Sequence, residues 1–185
     1  MNNKTVYFIL LLFLFGLLLN GCAIIGSPVI NNIPTVDSVD LERYAGLWYE
    51  IASLPTWFAR SLVCVTATYN LQKDGKIEVI NQGYQGSPDG KLNKINGTAW
   101  VPNPDEPGQL RVSFFPLFSS PYNIILLDEN YSYAVVAGNN FKFLWILSRT
   151  PQMDQNTYDS LIQQAEAWGF EVEKIEITPQ ICFNG

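Results

Sequence analysis

The stretch Val63-Cys64-Val65-Thr66-Ala67-Thr68-Tyr69-Asn70-Leu71, Lys73-Asp74-Gly75, Ile77-Glu78-Val79-Ile80-Asn81-Gln82-Gly83-Tyr84 decides the fold. Two runs rich in β-branched and aromatic residues flank a turn of polar residues and glycine, the signature of an antiparallel hairpin. Outward from it the same alternation repeats. The runs are 47–52, 63–71, 77–84, 92–101, 110–115, 122–127, 133–137 and 143–148, eight in all. Ser87-Pro88-Asp89-Gly90, the segment 102–108, Asp128-Glu129-Asn130 and Gly138-Asn139-Asn140 separate them with turn chemistry. Connectors this short join neighbours in an up-and-down order, and eight strands close a sheet into a barrel wide enough for one small ligand. The expected fold is therefore all-β, an eight-stranded antiparallel up-and-down barrel. One helix follows it: Tyr158, Leu161, Ile162, Ala165 and Trp168 make an apolar stripe after a cap at Asp154, with Gly169 ending it. That stripe is expected to cover the outside of the barrel, with residues 170–177 returning as an extended segment.

Composition limits the chemistry. The 185 residues hold 11 Lys and Arg against 17 Asp and Glu, a formal charge of −6, and no histidine. Phosphate-backbone binding, driven by clustered cations, is disfavoured, so no nucleic-acid partner is expected. Without histidine there is no Ser-His-Asp or Cys-His catalysis and no His-ligated metal. With 48% apolar and 14% aromatic residues the chain can bury a sizeable core.

Residues 6–19 are an almost unbroken apolar run after a polar start with Lys4. The run is shorter than the roughly 20 residues a spanning helix needs and fits the apolar region of a secretory signal. Leu19-Asn20-Gly21-Cys22 resembles the lipobox of bacterial lipoproteins, which implies cleavage before Cys22 and acylation of its thiol and amine, palmitate among the chains. The other reading is an ordinary secretory signal with an incidental cysteine. Ala23, in place of an aspartate, is the residue that this resemblance associates with the outer over the inner membrane, and the expected address is a lipid anchor on the outer membrane at its periplasmic face. The expected organisation is a signal peptide at 1–21, a lipidated tether at 22–38 and a barrel domain at 39–185. Beyond Cys22 only Cys64 and Cys182 remain, an even pair in an oxidising compartment. A disulfide is the natural reading, with two free thiols or a metal pair as the alternatives.

Leu41-Glu42-Arg43-Tyr44-Ala45-Gly46-Leu47-Trp48-Tyr49-Glu50-Ile51-Ala52 resembles the first motif of the lipocalins, a helical turn leading to Gly-x-Trp. The run 122–127 followed by Asp128 resembles the second, without its usual flanking threonine and tyrosine. Leu144-Trp145-Ile146-Leu147-Ser148-Arg149-Thr150-Pro151 resembles the third. The wording is similar to that of the bacterial outer-membrane lipocalins and apolipoprotein D, from about Val39 to Gly185. The resemblance implies a calycin barrel in which Trp48 plugs one end beneath Arg149, with Gly46 allowing the approach. It implies a Cys64–Cys182 disulfide, and a ligand pocket lined by Tyr69, Asn81, Trp145 and Leu147. Strand alternation adds Asn123 to that inward set.

The function so implied is reversible binding, with storage or transport, of a fatty acid, lysophospholipid or similar small amphiphile. No catalytic residue, metal or cofactor is expected. A lipocalin-fold enzyme acting on a lipid or isoprenoid is the alternative, and an envelope interaction protein with a filled cup is a third. A homodimer stays open. Two aromatic clusters, Trp57-Phe58 and Phe115-Leu117-Phe118, fall in expected loops, where they would cap the barrel, enter lipid or join two copies. Asn96-Gly97-Thr98 and Asn130-Tyr131-Ser132 read as turns. Asp105-Glu106 and Glu171, Glu173 and Glu176 read as solvated charges, not as a paired-carboxylate site.

Overall fold

The computed structural model describes residues 35–56 and 61–183. The signal peptide, the lipobox with Cys22, most of the tether and the Trp57-Phe58 pair lie outside the described residues. A helical turn α1 (Leu41–Tyr44) leads into β1 (Gly46–Ser53), and seven strands follow: β2 (Leu62–Leu71), β3 (Ile77–Gln85), β4 (Leu92–Trp100), β5 (Gln109–Phe115), β6 (Phe118–Leu127), β7 (Tyr133–Ala137) and β8 (Leu144–Ser148). Each pairs antiparallel with the next, and β1 pairs with both β8 and β2, which closes the barrel. A two-residue strand, β9 (Glu176–Ile177), adds to the far half of β1.

The paired residues fix which side chains face inward. Trp48 lies opposite Ala67, Ala67 opposite Asn81 and Asn81 opposite Ile95, a ring around the interior. Tyr69, Ile77, Val79, Ala99, Leu110, Ile124 and Val136 form one buried cluster with Trp48 inside the barrel. Ile51, Leu54, Val135, Ala137, Leu144 and Ile146 form the other, against Leu161 and Ala165 of the helix α2 (Gln155–Trp168). The helix packs where its stripe requires. Asp154 caps it by accepting from the Thr157 amide at 3.1 Å, and Gly169 ends it in the left-handed conformation at φ 96°.

Among the described residues four register shifts interrupt the pairing, two of them between Val63 and Thr66 of β2 and between Val112 and Phe115 of β5, and the other two bear on the site. In β1, Glu50 pairs with Leu147 and Ala52 with Ile146, so one extra residue sits between them. Ile51 and Ala52 both turn to the outer cluster, leaving Glu50 and Ser53 on the inner side. In β6, Ile124 pairs with Val136 and Leu126 with Val135, with Ile125 left over.

Three expectations need correction. Residues 170–177 are not simply extended: a 3₁₀ turn (Val172–Lys174) precedes β9. Strand β6 begins at Phe118, four residues before the expected start, because Arg111 on β5 holds Ser119 by its Oγ and carbonyl at 2.8 Å each and Pro121 pairs opposite Arg111. Asn96-Gly97-Thr98 lies inside β4 and is not a turn; a Cβ on Gly97 would come within 2.6 Å of the Phe114 ring, so the glycine makes room for that side chain.

Candidate functional site

The closed end is built from the start of β1 and the end of β8. The Trp48 indole is fully buried and donates to the Tyr44 carbonyl at 2.8 Å. The Arg149 guanidinium lies 3.9 Å from the centre of the Trp48 ring. It donates to the carbonyls of Leu47 at 2.8 Å, Ala45 at 2.9 Å, Arg43 at 2.6 Å and Tyr44 at 3.1 Å, gathering the whole turn. Gly46, at φ 96°, stands where a Cβ would press on Arg149 Nη1 at 3.3 Å.

Above this plug three phenols meet. The Tyr122 hydroxyl is 2.7 Å from that of Tyr44 and 2.9 Å from that of Tyr69. Burial pushes all three upward, Tyr69 to about 12, so they stay protonated. The space among them is only about 10 Å³, room for one water and no alkyl chain. The base of the barrel is thus filled by its own side chains.

Higher up the wall, Asn81 faces inward between Ala67 and Ile95, and its Oδ1 is buried with no hydrogen-bond partner. Ile95 beside it is 37% exposed although its side chain is on the inner face, so the upper half is open. Trp145 and Leu147 face the same space, Trp145 stacked on Phe143 with ring centres 6.0 Å apart. The structure therefore brings Tyr69, Asn81, Trp145 and Leu147 to one interior.

Asn123 is the exception and corrects the expected lining. It pairs with Gln109 and Ala137, and Ala137 belongs to the outer cluster. Its amide donates to the Gly138 carbonyl at 3.0 Å. The bulge at Ile125 is the cause: counting back from inward Leu127 by twos reaches Asn123, but the extra residue moves Tyr122 and Ile124 inward instead.

Sequence reasoning also missed Glu50. It stands two residues after Trp48, on the same inward face and ahead of the β1 bulge, and its Oε1 accepts from Thr178 Oγ1 at 2.7 Å and Ser53 Oγ at 3.1 Å. Burial pushes its carboxyl above the usual range, against the effect of those two bonds. Thr178 belongs to the C-terminal strap, which crosses the gap where β1 and β2 part. The Cys64–Cys182 disulfide ties the strap down, with the two Cα atoms 5.8 Å apart. Gln180 bridges the gap, donating to the carbonyls of Glu50 at 2.7 Å and Val65 at 2.9 Å.

At the open rim the β5–β6 hairpin carries Phe115, Leu117 and Phe118. Leu117 is 99% exposed and Phe118 75%, so this tip covers nothing and does not cap the barrel. Among the described residues no cluster of potential metal ligands occurs.

A barrel plugged below and open above defines a calycin-type cup, not a channel. Comparison with known proteins supplies the family: residues 39–180 match the family model described as a lipocalin-like domain, and the chain belongs to the lipocalins. It is 40% identical over 165 residues to the outer membrane lipoprotein Blc of Vibrio cholerae, covering 89% of this chain and 94% of that protein. To apolipoprotein D of Mus musculus it is 36% identical over 154 residues, 80% of each chain. Among solved structures, insecticyanin of the tobacco hornworm Manduca sexta superposes with a TM-score of 0.64 at 20% identity, covering 83% of this chain and 85% of that one, a likeness of fold. By its bacterial relatives the chain is a protein of the outer membrane.

Proposed function

We propose that the cup reversibly holds one fatty acid, lysophospholipid or similar amphiphile, and that the protein stores or carries it at the periplasmic face of the outer membrane from a lipid on Cys22. The observation that carries this reading is the open upper wall, where inward Ile95 stays exposed and the buried Asn81 Oδ1 is left without a donor. Each methylene moved into such a space contributes about 0.8 kcal/mol, and the polar atoms select the head group. The tyrosine cluster supports binding over catalysis, because burial holds its phenols protonated, the opposite of an activated nucleophile.

Charge supports an orientation with the rim toward lipid. The closed-end turns carry Asp74, Asp105, Glu106, Asp128 and Glu129 against Lys73 and Lys76, whereas the rim carries Lys91, Lys94 and Lys142 against Asp89, beside the apolar hairpin tip. The fourteen residues 23–36 reach at most about 50 Å when extended, enough for the domain to present either end.

Amphiphiles brominated along the chain test the reading. They should quench a component of the tryptophan emission that is missing in Trp145→Phe. Equal quenching in the variant places the chain elsewhere. Leu117→Ser with Phe118→Ser should weaken binding of the chain from residue 23 onward to anionic vesicles; unchanged binding removes the orientation, and a change from dimer to monomer instead makes the tip a seam between copies.

A further inference from the structure

The pairing of β1 with β2 ends at Tyr49 and Thr66, and beyond it the strands part. A cavity of about 250 Å³ lies in that gap, bounded by Glu50, Ser53, Thr56, Val65, Thr178 and Pro179 among others. It is slightly smaller than the roughly 300 Å³ at which drug-sized sites begin, a size for a head group and not a whole lipid. The register places Glu50 opposite Leu147 and Ser53 opposite Trp145, so the cavity wall continues into the inner wall of the cup.

Two acceptors here are unused. Among the described residues both hydrogen bonds to the Glu50 carboxyl fall on Oε1, and none falls on Oε2. Thr56 is 7% exposed, lines the same cavity, and its Oγ1 is buried without a partner. A buried polar atom left unpaired costs about 1–3 kcal/mol, and a bound group that donates to it recovers that cost. Among the described lining residues there is no lysine or arginine, and Glu176 adds a second carboxylate. Among the described lining residues there is no aromatic face either.

We propose that this cavity receives the primary ammonium of an amphiphile whose chain lies in the cup, with Glu50 Oε2 and Thr56 Oγ1 as the acceptors. The inference rests on the cup's being an amphiphile site and narrows the ligand class. A primary ammonium has three N–H donors and a charge opposite to that of Glu50. A quaternary ammonium lacks those donors and favours aromatic rings. A fatty carboxylate would meet Glu50 as a like charge. Glu50 also latches the strap through Oε1, but a glutamine keeps that acceptor, which separates the two roles.

The test uses the chain from residue 23 onward, which contains both buried clusters, the closed barrel and the disulfide. Dodecylamine, dodecyltrimethylammonium, dodecanoate and dodecanol share a chain and differ in head group; their affinities are measured by calorimetry below their micellar concentrations. Dodecylamine should bind about tenfold more tightly than the others, the worth of one charge-assisted hydrogen bond. Glu50→Gln should abolish that preference, and Thr56→Val should reduce it in part, giving a second handle if the first variant folds poorly. Equal binding of all four, or a preference that survives Glu50→Gln, overturns the head-group site alone. No binding of any overturns the cup reading and this inference with it.

Discussion

Replacing Arg149 with alanine should cost the fold about 3–4 kcal/mol. The guanidinium donates to the carbonyls of Arg43, Tyr44, Ala45 and Leu47 within 3.1 Å and stacks on Trp48 at 3.9 Å, so one side chain holds the turn to the barrel floor. Hydrogen bonds from a charged donor contribute about 1.5–3 kcal/mol each and the stacking about 0.5–2, but these do not add, because carbonyls at the barrel end regain water when the arginine is lost. Lysine presents a compact ammonium that cannot span the same carbonyls or stack as a plane, so Arg149→Lys should recover less than half. Urea unfolding followed by far-UV circular dichroism, with the disulfide intact, measures both. At about 2–4 °C per kcal/mol, the alanine variant should melt roughly 6–16 °C lower. A loss below about 1 kcal/mol, or a lysine variant equal to the parent, would refute the idea that this network seals the barrel.

Tyr122→Phe removes the hydroxyl shared by Tyr44 and Tyr69 and strands both, so urea unfolding should show a loss of about 1–3 kcal/mol, more than Tyr69→Phe gives. Glu50 is raised by burial, so its contribution to stability is present below the ordinary carboxylate range and is lost as pH rises through its elevated value; Glu50→Gln should flatten that part of the stability curve. Tyr69, raised from 10.0 to about 12, should likewise make the fold lose stability across that alkaline interval, less so in Tyr69→Phe. Cys64→Ser with Cys182→Ser opens a loop with a sequence separation of 118, for which chain entropy sets a ceiling of about 4.7 kcal/mol. A measured loss of about 2–4 kcal/mol is expected, and none at all would mean that β9 and the hydrogen bonds of Thr178, Pro179 and Gln180 hold the strap without the disulfide.

The barrel was legible because its strands alternate cleanly and their turns are short. The helix from Asp154 to Gly169 was legible to the residue, since both caps have side-chain or backbone chemistry that sequence displays. The part that escaped lies at the bulges. A bulge adds one residue to one strand, and the sequence carries no mark at Ile51 or Ile125 to announce it; each exchanges the two faces for the remainder of the strand. Asn123 is expected inward for this one reason, whereas Glu50 stands ahead of the β1 bulge on the face of Trp48, and its part in the site comes only from the strap that brings Thr178 to it. Tyr69, Asn81, Trp145 and Leu147 lie on stretches without a shift, and the structure places all four inside. The hairpin at Phe115–Phe118 was misjudged as a long loop because Ser119, Ser120 and Pro121 look like turn residues, while their pairing to β5 depends on Arg111 across the sheet.

Native mass spectrometry of the chain from residue 23 onward, before and after delipidation and incubation with an envelope-lipid extract, tests the central claim most directly. One displaceable amphiphile per chain, chemically unchanged on release and lost in a Trp145 and Tyr69 double variant, is the result expected of a reversible cup. An empty protein that takes up nothing, or a lipid released in altered form with turnover, would contradict it.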